Sequence, residues 1–142
     1  RRGNRVFLDT GYLIALEASD DQHHDEAIQH WRQSVPDISS IITTTYVFDE
    51  VVTFFNSRGH HSKAVEIGRR LLRSPRVEMI HVSEDLFGAG WGRFQERSDK
   101  GYSLTDCISF IVRERRGLEE ALAFDQHFQQ AGYQPLPIRR GT

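Results

Sequence analysis

The stretch RVFLDTGYLIALEA, residues 5–18, holds the first strand-to-helix junction of the chain. Residues 5–9 read as a short buried strand, because three large apolar side chains follow one another before a single acid. Residues 11–18 read as a short helix. Asp9 sits at the junction, where an α/β sheet presents its functional groups. The same letters, Asp9-Thr10-Gly11, also resemble the way an aspartic protease displays its catalytic aspartate.

Working outward, the alternation continues. Residues 21–35 carry Ala27, Ile28, Trp31 and Val35 at helical spacing. Residues 37–44 form a second strand candidate. Residues 45–59 form a helix closed by Gly59, and residues 61–74 another, stopped before Pro75. Residues 76–82 give a third strand, opening into a helix from Ser83 to about Arg97. Residues 103–117 form a helix with Ser103 as its cap and Gly117 as its stop. Residues 119–125 give a fourth strand ending in Asp125, and residues 135–138 a last short one. Strands alternating with helices imply an α/β sandwich with a mainly parallel sheet. No repeat, low-complexity stretch or linker interrupts the pattern, so residues 1–142 read as one domain.

The protease reading fails on its own terms. Such an enzyme needs two aspartates sharing a proton, and no second Asp-Thr-Gly or Asp-Ser-Gly exists here. Its fold is almost all β, whereas this chain turns helical straight after Gly11. A phosphatase with an aspartyl nucleophile wants another aspartate two residues after the first, and that position is Gly11.

Four acids lie where a parallel sheet could gather them: Asp9, Glu50, Asp106 and Asp125. Glu50 stands out, since its spacing from Val47, Val51 and Phe54 puts it on the apolar side of its helix. A carboxylate there is costly unless it is paired, with an arginine for instance, or holds a metal. Asp49 points round toward Thr53 and Asn56. Each aspartate has a competing structural use. Asp106 follows Ser103 at capping-box spacing, and Asp9 and Asp125 could cap the helices after them. Carboxylates gathered in one pocket repel each other unless cations neutralise them, and an oxygen-only set suits Mg²⁺ or Mn²⁺ better than zinc.

The ordered set of acids in VFLDTGYLIAL, TTTYVFDEVVTFF, SLTDCISFIVRERRG and ALAFDQHFQQAGY resembles the four acidic positions of the PIN domain. The resemblance runs from about Val6 to Tyr133. It implies a three-layer α/β/α sandwich, and a Mg²⁺- or Mn²⁺-dependent endoribonuclease of the kind found as VapC toxins bound by an antitoxin. It implies that Asp9, Glu50, Asp106 and Asp125 are the catalytic metal ligands, with RNA as substrate and a homodimer as assembly. Two such ions, about 3.5–4 Å apart, would activate water and stabilise the leaving oxygen. Thr10, Ser103 and Thr105 could hydrogen-bond the ligands or a phosphate. Two positions depart from the family pattern: Ala123 stands where a Thr is frequent, and His127 where some members carry a further acid. The alternative is a non-catalytic PIN fold that binds RNA or protein. A pure scaffold, however, has no reason to keep a repulsive acidic pocket.

The remaining features bound the function. The net charge is −2, from 18 basic and 20 acidic residues, which argues against a general nucleic-acid coat. Arginines cluster at positions 1, 2 and 5; 69, 70 and 73; 113, 115 and 116; and 139 and 140, so local basic patches or solvated helix faces are both open. One cysteine, Cys107, allows no internal bridge and fits a reducing, cytoplasmic setting. No signal peptide or membrane span is expected, the apolar runs being too short. His23, His24, His60 and His61 lack zinc-finger spacing. Trp31, Trp91, Phe54 and Phe55 are expected in the core or between subunits, with base stacking an alternative for Trp91. Gly88, Gly90 and Gly92 lack a phosphate-loop lysine, and are read as weakening their helix or allowing close packing.

Overall fold

A computed structural model of the protein describes residues 3–98 and 101–124, and the backbone of residues 134–136. The strands are β1 (Asn4–Leu8), β2 (Ile38–Thr44), β3 (Val77–Ile80), β4 (Glu120–Leu122) and β5 (Gln134–Leu136). The helices are α1 (Thr10–Glu17), α2 (His24–Ser34), α3 (Thr45–Ser57), α4 (His61–Arg73), α5 (Glu84–Glu96) and α6 (Leu104–Arg116). They build a three-layer α/β/α sandwich around one sheet of order β3-β2-β1-β4-β5, with every pairing parallel.

The apolar run in β1 decides where that strand sits. Val6, Phe7 and Leu8 are all buried, as a strand covered on both faces requires. β1 is therefore central, pairing with β2 on one side and β4 on the other. The chain first builds outward through β2 and β3, then crosses back to place β4 beside β1. This reversal leaves a crevice at the carboxyl ends of the strands, the usual ligand position of open α/β sheets.

Local chemistry starts several helices at that edge. Thr44, the last residue of β2, caps α3 by accepting from the Val47 amide at 3.2 Å. Ser103 and Asp106 form a reciprocal capping box on α6, with both hydrogen bonds at 3.0 Å. Gly117 ends α6 in the left-handed conformation, φ 63°, which glycine adopts without a Cβ clash. Gly90 serves packing: a Cβ there would collide with Ile108 Cγ1, so α5 approaches α6 more closely than any side chain allows.

Some expectations shift. α2 begins at His24, because the Asp21 carboxylate accepts from the His23 amide at 2.9 Å and holds residues 21–23 in a turn. β4 is shorter than residues 119–125, and β5 begins at Gln134. Trp91 is not in the core: it is 45% exposed and stacks on Phe94 along the outer face of α5. The arginines near residue 115 are not one basic patch. Arg113 is buried and donates to the carbonyls of Leu118 and Glu119, Arg115 pairs with Asp85, and Arg116 pairs with Glu78. Arg70 likewise forms a two-pronged pair with Glu17. Arg139 and Arg140 lie outside the described residues. Among the described residues, no helix is long and apolar enough to cross a membrane.

Candidate active site

Asp9 follows β1 directly, and its amide extends the ladder to the Leu122 carbonyl at 3.0 Å. It occupies the N-cap position of α1, but its side chain makes no capping hydrogen bond. The capping explanation for this acid is therefore set aside. The residue is 4% exposed.

Glu50 reaches the same place from the second turn of α3. It is half-buried, and Thr10 Oγ1 donates to its Oε1 at 2.8 Å. The partner is thus a hydroxyl from the first residue of α1, not an arginine. Asp106 arrives from the first turn of α6, where its Oδ2 accepts from the Ser103 amide. Asp9, Thr10, Glu50, Ser103 and Asp106 all line one cleft of about 500 Å³. Thr105 does not: it is buried within α6. Asp125 and His127 lie outside the described residues. Phe124, immediately before Asp125, lines the cleft, and Ala123 is completely buried.

Two further groups line this cleft: Asp21, which sequence reasoning passed over, and His23, which it weighed only as a zinc ligand. Asp21 and His23 come from the turn between α1 and α2. His23 stacks on Phe124, with ring centroids 4.7 Å apart, and Phe124 stacks in turn with Tyr12. Only a tertiary contact brings this turn to the strand ends, so no local periodicity marks it. Four carboxylates and no lysine or arginine thus face the cleft among the described residues. Burial pushes the Tyr12 hydroxyl well above its usual range, and it bonds His30 Nδ1 at 2.9 Å. Cys107 is completely buried and does not line the cleft; burial, and secondarily the neighbouring Asp106 charge, raise its thiol.

The donor set of carboxylates and hydroxyls matches a hard, oxygen-seeking divalent cation. As they stand, no three acid, histidine or cysteine side chains among the described residues converge closely enough to chelate one ion. The fit therefore rests on donor chemistry. A larger hollow of about 680 Å³, bordered by Leu13, Leu16, Trp31 and Leu71, holds none of Asp9, Glu50 and Asp106, the expected acids among the described residues.

Residues 6–132 match the family model described as PIN domain. This chain belongs to the PIN-domain family. The PIN domain is 33% identical over 129 residues to the 23S rRNA-specific endonuclease VapC20 of Mycobacterium tuberculosis, in strains CDC 1551 / Oshkosh and ATCC 25618 / H37Rv. That alignment covers 90% of this chain and 95% of the relative. The crystal structure of M. tuberculosis VapC20, described as a sarcin-ricin loop cleaving toxin, superposes with a TM-score of 0.82 at 29% identity. It covers 91% of this chain and 96% of that one. A toxin–antitoxin complex from Klebsiella pneumoniae aligns with a TM-score of 0.57 and 16% identity, over 85% and 87% of the two chains, and shares the fold. PIN-domain nucleases generally work with divalent metal ions.

Proposed function

We infer that this PIN domain is an endoribonuclease of the VapC toxin class, cutting RNA phosphodiester bonds and held in check by an antitoxin protein. The observation that carries the reading is the shared cleft of Asp9, Glu50 and Asp106 at the carboxyl edge of the sheet. Likeness to VapC20 over nearly the whole chain supports the reaction and the partner.

We assign Asp9, Glu50, Asp106 and Asp125 as the residues that hold Mg²⁺ or Mn²⁺. When bound, the ion supplies the charge neutralisation and water activation of an in-line phosphoryl displacement. The chain's own residues do the rest. Asp9 stands at the end of the central strand, so its position is as rigid as the sheet. Thr10 fixes one oxygen of Glu50, and Ser103 fixes one of Asp106, so neither carboxylate has to be ordered when substrate arrives. The buried Cys107 takes no part, and no side chain serves as nucleophile. The reading includes residues 1–142 as one domain, a homodimeric assembly and a cytoplasmic setting.

The test is cleavage of a sarcin-ricin stem-loop RNA, chosen because that loop is the named target of VapC20. Cutting that requires Mn²⁺ or Mg²⁺ and disappears in Asp9→Asn supports the scheme. Full-rate cutting by Asp9→Asn with Mn²⁺ present would sink it. A non-catalytic binding module would retain RNA and never cleave it.

A further inference from the structure

A second, smaller hollow of about 320 Å³ adjoins the acidic cleft, and Phe54 forms part of the wall of both. The two depressions differ in charge. Carboxylates and no lysine or arginine face the cleft among its described lining, whereas Arg58, His60 and Lys63 face the smaller hollow. Glu17 and Asp20 are also there, but both oxygens of Glu17 are already taken by Arg70, with Lys63 3.5 Å away.

Arg58 is held in place at the shared wall. Its guanidinium carbon lies 3.7 Å from the centroid of the Phe54 ring, and Nη1 donates to the Phe54 carbonyl at 3.3 Å. A guanidinium held over an aromatic face retains N–H groups that can receive a phosphate, and Arg58 uses only Nη1 in its hydrogen bonds to Phe54 and Ser57. The guanidinium lies back over Phe54, which follows Glu50 by four residues, one turn or about 6 Å along the helix axis. That places it beside the carboxylates, to meet a flanking phosphate of the same strand rather than the one being cut.

We propose that this hollow, with Arg58 seated on Phe54, binds a backbone phosphate of single-stranded RNA flanking the scissile bond. The inference rests on the ribonuclease reading and deepens it. The described side chains of the cleft include no lysine or arginine, so phosphates beyond the one at the metal-binding carboxylates need cations from beside it. Arg58 provides a cation held at the wall the two hollows share. The hollow is small for a protein helix, about 10 Å across with its side chains, and of suitable size for a phosphodiester unit.

The test is equilibrium binding of a fluorescently labelled, short single-stranded RNA to the Asp9→Asn protein over a series of salt concentrations. Adding Arg58→Ala weakens binding about three- to tenfold, the loss of one charge-assisted phosphate contact at an exposed site. The slope of log affinity against log salt becomes shallower by about 0.7, one phosphate contact fewer on a single strand. Arg58→Lys keeps the charge, loses the fork and the stack, and recovers binding only in part. Arg73→Ala, on α4 and bordering the larger hollow, changes neither quantity. Unchanged affinity and slope for Arg58→Ala overturn the assignment, whatever the variant does to binding of a protein partner. RNA that binds in this Arg58-dependent way but is never cut by the parent protein would leave the contact standing and remove the ribonuclease reading.

Discussion

Thr10 Oγ1 donates a 2.8 Å hydrogen bond to Glu50 Oε1, tying the first residue of α1 to a carboxylate on α3. The two residues are distant in sequence and meet only because both helices start at the same edge of the sheet. Thr10→Val preserves the shape and removes the donor. Glu50 then loses its fixed orientation, and the Mn²⁺ concentration for half-maximal cleavage rises roughly tenfold. Cleavage rates titrated with Mn²⁺ check this, and an unchanged midpoint would show that Thr10 has no part in holding the site.

Asp9→Asn removes one negative charge from a buried position facing other acids. The variant loses cleavage. It also unfolds no earlier than the parent in metal-free buffer, because mutual repulsion in the cleft is reduced. Thermal melts with and without millimolar Mn²⁺ complete the comparison. The parent gains stability from a ligand that binds only the folded state, and the Asp9→Asn protein loses most of that gain.

Gly90→Ala reports on the α5–α6 contact. The new methyl collides with Ile108, so one helix has to move or Ile108 must leave its rotamer. Overpacking of this kind costs about 1–3 kcal/mol. Gly88→Ala and Gly92→Ala, whose added methyls meet nothing within 4 Å, raise stability by up to about 1 kcal/mol through helix propensity. Urea unfolding midpoints of the three variants separate packing from propensity.

Arg116 holds the Glu78 carboxyl below its usual range, chiefly through their hydrogen bond. A carboxyl depressed on folding adds stability above its unfolded pKa and loses it as pH falls through the folded one. Both side chains are more than a third exposed, so screening limits the pair to under about 1 kcal/mol. Glu78→Gln therefore unfolds slightly earlier than the parent at pH 7. The gap closes as pH falls through the lowered folded-state pKa of Glu78, as parallel urea titrations at pH 7 and at stepwise lower pH measure.

The order of elements was legible because the periodicities are strong and the punctuation is local. Ser103 and Gly117 bracket α6 by cap chemistry that needs no tertiary information. Glu50 was legible as an acid on an apolar helix face, though its partner was not, because Thr10 comes to it through the fold. Asp21 and His23 were hidden for the same reason. Arg113 reads as surface charge, but the turn after α6 needs donors for two carbonyls, and the guanidinium provides them. Trp91 reads as core or subunit interface, with base stacking an alternative, and α5 turns Leu86 and Gly90 inward and leaves Trp91 on the outer face, which removes only the core option. Helical spacing shows that a face exists, and packing decides which face is covered.

The central place of β1 also has a consequence in time. The first strand of the domain to leave the ribosome waits longest for a neighbour: Phe7 pairs with Ile42 on one side, and with Ala121 only when nearly the whole domain has been made. Until then Asp9 lacks its bond to Leu122, and the helix carrying Asp106 has no finished sheet to lie on. A chain truncated before β4 would thus lack the bond that seats Asp9, and the cleft would assemble only once β4 is in place beside β1.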